Sequence, residues 1–258
     1  MFNLIDIHCH ILPGIDDGAK TIEDSIDMAK TAVADGITTI IATPHHQNGR
    51  YINGKSSIIE RIKEVNDQLT QHNIPLTILP GQEPRIYGEL IEDYQKDEIL
   101  TLNNGGKYVM IELPSSQVPR YTEQLLFDIQ LQGLNPIIVH PERNAQIMEQ
   151  PDILYNFVKK GALTQVTASS VTGHFGKKIQ KFSNQLIEAN LTHFIASDAH
   201  NVNGRTFRLS EAYDLIENQY GVDMIYFFTE NAQYLVDRQM VDRGEPEKVR
   251  RKKFLGIF

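Results

Sequence analysis

With 258 residues, 41% of them hydrophobic and 22% charged, the chain has an ordinary globular composition and enough length to bury a full core in one large α/β domain or two small ones. A formal net charge of −8 argues against a duplex-binding surface, because affinity for nucleic acid rests on neutralising phosphates with lysine and arginine. No apolar run approaches the ~18 residues needed to span a membrane, no basic region precedes a long apolar one, and the single cysteine, Cys9, excludes an internal disulfide. These features read as a cytoplasmic protein without direct membrane insertion.

Short β-rich runs alternate with longer helical patterns from end to end, the signature of βα units and a mainly parallel sheet. Strands are predicted near 4–8, 38–43, 76–80, 108–113, 136–140, 163–168 and 193–197. Between them lie helical stretches such as 22–35, where Ile22, Ile26, Ala29 and Val33 share a face, and 57–71, which opens on a capping box, Ser57-x-x-Glu60. After Asp198 the chain turns helical, over 207–220 and again over roughly 229–239. No Pro/Gly/Ser-rich linker interrupts the alternation, so residues 1–258 read as a single domain with a helical C-terminal segment from about 223. The basic run 248–253 reads as a solvated terminal helix, with contact to anionic lipid or an acidic partner as its sharper alternative.

Histidine and carboxylate gather where these strands end. His8 and His10 are two apart on the first strand, so both imidazoles share a face and can grip one ion. The loop after them carries adjacent carboxylates, Asp16 and Asp17. Later runs end in His45-His46, Glu83, Glu112, His140-Pro-Glu-Arg143 and Asp198-Ala-His200. At most one of His45 and His46 can face such a site, because neighbours on a strand alternate. Glu83 and Glu112 would be costly to bury without a cation. Asp6 shares the face of His8 and His10 one step deeper, where it would orient a histidine. So many ligands exceed what one ion uses and imply two or three divalent ions, with manganese, iron, magnesium and zinc all compatible with nitrogen and oxygen donors. Arg143 and Arg205 follow ligand positions closely, and guanidinium forks match phosphoryl oxygens. Polar groups at the ends of nearly every parallel strand fit a closed barrel better than an open sheet, whose ligands come from one switch point.

Taken together, Asp6-Ile-His-Cys-His10, Ile15-Asp-Asp-Gly18, Thr43-Pro-His45, Gly81-Gln-Glu83, Ile111-Glu-Leu113, Val139-His-Pro-Glu-Arg143, Thr164-Gln-Val-Thr167 and Ala196-Ser-Asp-Ala-His200 with Gly204-Arg205 resemble the PHP (polymerase and histidinol phosphatase) superfamily. Within it they are similar to the bacterial manganese-dependent protein-tyrosine phosphatases of capsule and exopolysaccharide operons. The resemblance implies a distorted (β/α)7 TIM-like barrel, a trinuclear metal site most suited to manganese, and hydrolysis of phosphotyrosine on a partner tyrosine kinase that regulates polysaccharide synthesis. By position it implies His8, His10, Asp17, His45, Glu83, Glu112, His140, Asp198 and His200 as ligands, with Arg143 and Arg205 on the phosphate beside Asp198. Asp17 rather than Asp16 follows from alignment, and His46 has no place in the pattern. The implied chemistry is attack of metal-activated hydroxide on phosphorus, without a covalent phosphoenzyme. Recruitment to the membrane would run through the kinase, and the sequence carries no signal of subunit number.

Other readings compete. Residues 49–56 match G-x-x-x-x-G-K-[ST] literally and suggest a P-loop NTPase, although Tyr51 and Ile52 are bulky where a phosphate-wrapping backbone needs room. A thiol phosphatase built on Cys9 would need an arginine where Ile15 stands. A histidinol-phosphate phosphatase of the same superfamily shares every ligand, but Gln82-Glu-Pro-Arg-Ile-Tyr-Gly88 and Val171-Thr-Gly173 favour the tyrosine phosphatase. A barrel that only binds phosphotyrosine should have lost ligands, and a candidate stands at each position.

Overall fold

Each of the apolar runs becomes a strand, and the chain returns through helix or loop before the next. The structure, a computed structural model, describes residues 4–250. The long strands are Leu4–Cys9 (β1), Ile37–Ala42 (β2), Thr77–Pro80 (β4), Tyr108–Ile111 (β6), Asn135–Val139 (β7), Leu163–Thr167 (β8) and Phe194–Ala196 (β9). Two short strands, His45–His46 (β3) and Glu83–Pro84 (β5), continue β2 and β4 beyond a break and pair with each other. Every pairing is parallel, in the orders β1-β2-β4 and β6-β7-β8-β9.

The two sheets join at their C-terminal ends. Cys9 bridges Ala199, with His10 N–H donating to Ala199 O at 2.9 Å. On the other side Arg85 bridges Glu112, with Ile86 N–H donating to Glu112 O at 2.9 Å. The ring closes at that mouth as a distorted (β/α)7 barrel, with β4/β5, β2/β3, β1, β9, β8, β7 and β6 in order around it.

The helices are Ile22–Ala34 (α1), Lys55–Gln71 (α2), Leu90–Gln95 (α3), Thr122–Leu131 (α4), Ala145–Glu149 (α5), Asp152–Lys159 (α6), Ala168–Val171 (α7), Lys177–Glu188 (α8), Leu209–Tyr220 (α9) and Val222–Val236 (α10). A capping box forms on α1, where Thr21 and Asp24 exchange side-chain and backbone bonds. The box expected at Ser57 does not form. Helix α2 starts earlier, with Gly54 as its N-cap, and Ser57 Oγ donates to Gly54 O at 2.8 Å. Helix α10 also starts before the expected 229, because Gly221 at φ 87° is the only residue separating it from α9. The basic run does not extend the helical segment over the part described: 248–250 are irregular, and 251–253 lie outside the described residues.

The strands are apolar on both faces, as parallel strands between two packed layers must be. One set of side chains, including Ile40, Ala42, Val109, Ile138 and Ile195, packs under the helices. The other, including Ile7, Ile41, Met110, Ile137 and Phe194, fills the barrel and meets Ala232 and Leu235 of α10, which closes the end opposite the mouth. Among the described residues no helix is long and apolar enough to cross a membrane.

Strand β1 carries a bulge. Asp6 pairs with Ile40 and Cys9 with Ala42, so Ile7 and His8 together stand opposite Ile41. The extra residue resets the alternation. Cys9 packs in the outer layer with Ala42, whereas Ile7 belongs to the barrel interior and His8 turns to the mouth.

Candidate metal centre

At the mouth, imidazoles and carboxylates, Asp17 alone among them exposed, form three overlapping groups whose offered atoms lie within 4.8 Å of one another: His10, Asp17, His45 and His200; His8, His10 and Asp198; and His45, Glu83 and Glu112. His8 Nε2 lies 3.4 Å from Glu83 Oε1 and 3.5 Å from Asp198 Oδ1. His10 Nε2 lies 3.4 Å from both Glu83 Oε2 and Asp198 Oδ1. Asp17 Oδ1 is 3.4 Å from His45 Nε2 and from His200 Nε2. His140 stands at the edge of these groups, its Nε2 2.9 Å from Glu83 Oε1. Two of the contributing residues, His140 at φ 38° and Asp198 at φ 51°, hold left-handed backbone just where their strands end. Such strain persists only where surrounding bonds enforce it.

Hydrogen bonds behind the rings fix which nitrogen faces inward. Gln165 Oε1 lies 2.9 Å from His8 Nδ1, Asp16 Oδ2 2.7 Å from His10 Nδ1, and the Asp198 carbonyl 3.0 Å from His200 Nδ1. With Nδ1 committed behind the ring, each Nε2 is the nitrogen turned toward the centre. Asp16 also accepts from Gly18 N–H at 2.8 Å and His45 N–H at 3.2 Å, so of the adjacent pair Asp16 is the brace and Asp17 faces the cluster.

Asp6 corrects a sequence expectation: its carboxylate accepts from Ser197 N–H and Oγ and from His8 N–H, all groups of the scaffold, and touches no imidazole. The bulge in β1 turned it away. His46 points outward too, its Nδ1 accepting from Asn53 N–H at 3.2 Å, and so anchors the 47–53 loop.

The donor set fits divalent cations. Bonds of ~2.1 Å to one ion place neighbouring ligand atoms ~3.0–3.5 Å apart, the spacing found here. His45 Nδ1 and Glu83 Oε2 approach to 2.8 Å, yet both are buried without a hydrogen bond of acceptable geometry, as is His200 Nε2. Burial pushes the Glu112 carboxyl up to about 7, and the nearby Glu83 charge adds to it. Burial acts on Glu83 in the same direction, but the charges of His8 and His45 hold it well below the usual carboxylate range. Burial, with Arg143 beside it, lowers His140 to about 4 and leaves it a neutral donor. Adjacent carboxylates of opposite tendency and inward-facing imidazole nitrogens are groups that shared cations would satisfy together.

Arg143 and Arg205 flank the cluster and converge on one oxygen, Asp198 Oδ2, at 2.5 and 2.8 Å. Both line a cleft of about 210 Å³ with His45, Glu112 and His140. Glu142, buried behind Arg143, accepts from Ser170 Oγ at 2.6 Å and Thr167 N–H at 3.1 Å and ties the His140 turn to β8. A larger groove of about 660 Å³ on α4 and α6 shares no residue with the cluster. Arg85, two residues after Glu83 and just past the end of β5, is a site neighbour that the sequence pattern does not mark; its Nε donates to Glu112 Oε2 at 2.9 Å.

Residues 49–56 make no P-loop. Lys55 Nζ is bound by Asp97 at 2.5 Å, and Asn53 Nδ2 donates to Ile15 O and His45 O, so the segment is strapped to the histidine cluster. Cys9 is fully buried, and its thiol is pushed well above the usual range, first by burial and then by neighbouring carboxylates. It is no nucleophile.

Residues 4–237 match the family described as "Capsular polysaccharide synthesis, CpsB/CapC". The chain belongs to the CpsB/CapC family. It is 51% identical over 255 residues to tyrosine-protein phosphatase YwqE of Bacillus subtilis, covering 99% of this chain and 100% of that protein. It is 36% identical over 256 residues to the putative tyrosine-protein phosphatase CapC of Staphylococcus aureus, again covering 99% and 100%. Among solved structures, one described as YwqE from Bacillus subtilis and CpsB from Streptococcus pneumoniae, unique metal-dependent tyrosine phosphatases, superposes with a TM-score of 0.94 at 51% identity, covering 96% of this chain and 100% of the other. An organophosphorus hydrolase from Deinococcus radiodurans reaches a TM-score of 0.59 at 12% identity over 90% of this chain and 92% of its own, a likeness of barrel fold alone.

Proposed function

We propose that this CpsB/CapC protein is a metal-dependent protein-tyrosine phosphatase that hydrolyses phosphotyrosine on a tyrosine kinase of a polysaccharide-synthesis system. One observation carries the reading: three overlapping ligand groups stand beside two arginines that share one oxygen of Asp198. His8, His10, Asp17, His45, Glu83, Glu112, His140, Asp198 and His200 would hold two or three divalent ions, manganese first among them. Such ions supply Lewis acidity toward phosphoryl oxygens and lower the pKa of water.

The chain's own residues do the rest. Arg143 and Arg205 present guanidinium donors to the phosphoryl oxygens, where charge grows as the bond to tyrosine breaks. Asp198, between them, holds both forks toward the cleft until phosphate takes its place. Asp16 and Gln165 keep His10 and His8 in the tautomer that leaves Nε2 free. A phenol with pKa ≈ 10 leaves with less protonation than an alkoxide needs, so no strong general acid is required. Residues 1–258 act as one domain in the cytoplasm, reaching the membrane through the kinase partner.

The test is phosphate release from a phosphotyrosine peptide and from histidinol phosphate side by side, with enzyme stripped by chelator and resupplied with manganese. Peptide turnover that vanishes on stripping and returns with metal is the expected result. Preference for histidinol phosphate would discard the substrate, and metal-indifferent turnover would discard the mechanism.

A further inference from the structure

We infer that Tyr51 and Phe175 form an aromatic rim that selects aryl over alkyl phosphate esters; the inference deepens the phosphatase reading and rests on it. The two rings come from opposite sides of the barrel. Tyr51 follows β3 and Phe175 follows β8, and in the ring order β2/β3 and β8 are separated by two strand positions on one side and three on the other. Each stands directly against a cleft-lining group. The Tyr51 ring lies parallel to His45, 6° between planes and 6.4 Å between centroids, and the Phe175 ring lies under the Arg143 guanidinium at 5.4 Å.

Both rings are held rather than free. Asn48 Oδ1 accepts from Arg50 and Tyr51 N–H, Asn53 ties the same loop to His45 O, and the Arg50 guanidinium lies 5.0 Å from the Tyr51 ring centroid. Phe175 sits in a four-residue turn between Gly173 at φ 83° and Gly176 at φ 95°, closed by Gly176 N–H donating to Gly173 O at 2.9 Å. Left-handed backbone at both ends of that turn is what glycine permits at no steric cost. Beside Tyr51, Ile52 is 74% exposed, an apolar side chain held in water at the lip.

None of these residues belongs to the three ligand groups, so metal binding does not account for them. A phosphoryl group seated between Arg143 and Arg205 leaves its ester substituent to emerge past this rim. A phenyl ring there meets aromatic and apolar surface, and offset or edge-to-face contacts favour it; an alkyl chain carrying a peptide gains much less.

Calorimetric titration of the manganese-loaded protein with phenylphosphonate and methylphosphonate tests this selection without turnover. The wild type is expected to bind phenylphosphonate about 10-fold more tightly, and each of Tyr51→Ala and Phe175→Ala to cut that margin about threefold, with methylphosphonate affinity held within about twofold. Tyr51→Phe and Phe175→Tyr should keep the margin. Absence of a margin in the wild type would overturn the rim. So would equal losses for both ligands in Phe175→Ala, which would reduce Phe175 to a support for Arg143. Because binding is measured, failure of the phosphatase reading itself would show separately, as a phosphotyrosine peptide that binds without being cleaved.

Discussion

A single imidazole offers two nitrogens, and this site works only if the right one is bare. For His10 the choice is made by Asp16, whose carboxylate lies 2.7 Å from Nδ1 and is itself anchored by Gly18 and His45 N–H. Although burial opposes charge on the ring, Asp16 holds the His10 pKa well above its ordinary value. An ion at Nε2 would displace that second proton and inherit a strongly basic ligand. Asp16→Asn keeps an acceptor but removes the charge. We expect metal affinity, read by competition with a fluorescent chelator, to fall about 10- to 100-fold, with activity largely recovered in excess manganese. Unchanged affinity would mean that Asp16 only shapes the loop. Adjacent aspartates are chemically identical in a sequence; only the turn decides that Asp16 lies behind His10 and Asp17, 40% exposed, in front.

Elements carry that geometry, and the 14–18 loop is the most tightly fitted of them. A Cβ at Gly18 would lie 1.9 Å from His10 O and 2.6 Å from His10 Cβ, both on a ligand-bearing strand end that cannot yield. Gly18→Ala should therefore shift Asp17 away from His45 and His200 while the barrel stays folded. The expected readout is a fall of about 100-fold in phosphotyrosine turnover with unchanged far-UV circular dichroism. Near-wild-type turnover would show that the loop reseats without cost. The alternation of strands and helices was legible because fully buried parallel strands are continuous apolar runs, and each predicted strand is met within a few residues of its bounds. Less legible was what breaks periodicity. The bulge placing Ile7 and His8 opposite Ile41 reversed the expected facing of Asp6, and β3 and β5 are too short to leave a pattern. Ser57-x-x-Glu60 misplaced the start of α2 because the Gly54 carbonyl and tertiary bonds to 97–98 set that end instead. Gln165 could have been found as a polar residue inside a buried strand, since such a group must have a partner; here the partner is His8.

Across the whole molecule, the apolar core and the charged centre occupy different parts of one barrel. The interior layer and the α10 plug fill the end opposite the mouth, so folding does not depend on ions as it does in a small zinc module. The mouth nevertheless concentrates Asp17, Glu83, Glu112 and Asp198 against the imidazoles and the arginines, and burial keeps the Glu112 carboxyl at about 7 without a cation. Ions that bind this folded arrangement and not the unfolded chain must stabilise it by mass action. At 100 times its Kd one ion contributes about 2.7 kcal/mol. For a chain of this size that corresponds to a rise in Tm of about 5–10 °C per ion. Chelator-treated protein should therefore keep its far-UV spectrum and a cooperative transition, melt lower, and climb with manganese concentration to a plateau. Substituting Glu83 by Gln removes the carboxylate charge within reach of His8, His10, His45 and His140 and should flatten that climb. A Tm indifferent to metal, in a protein shown to be free of it, would mean that the carboxylates and imidazoles balance one another unaided and that the centre is not a metal site.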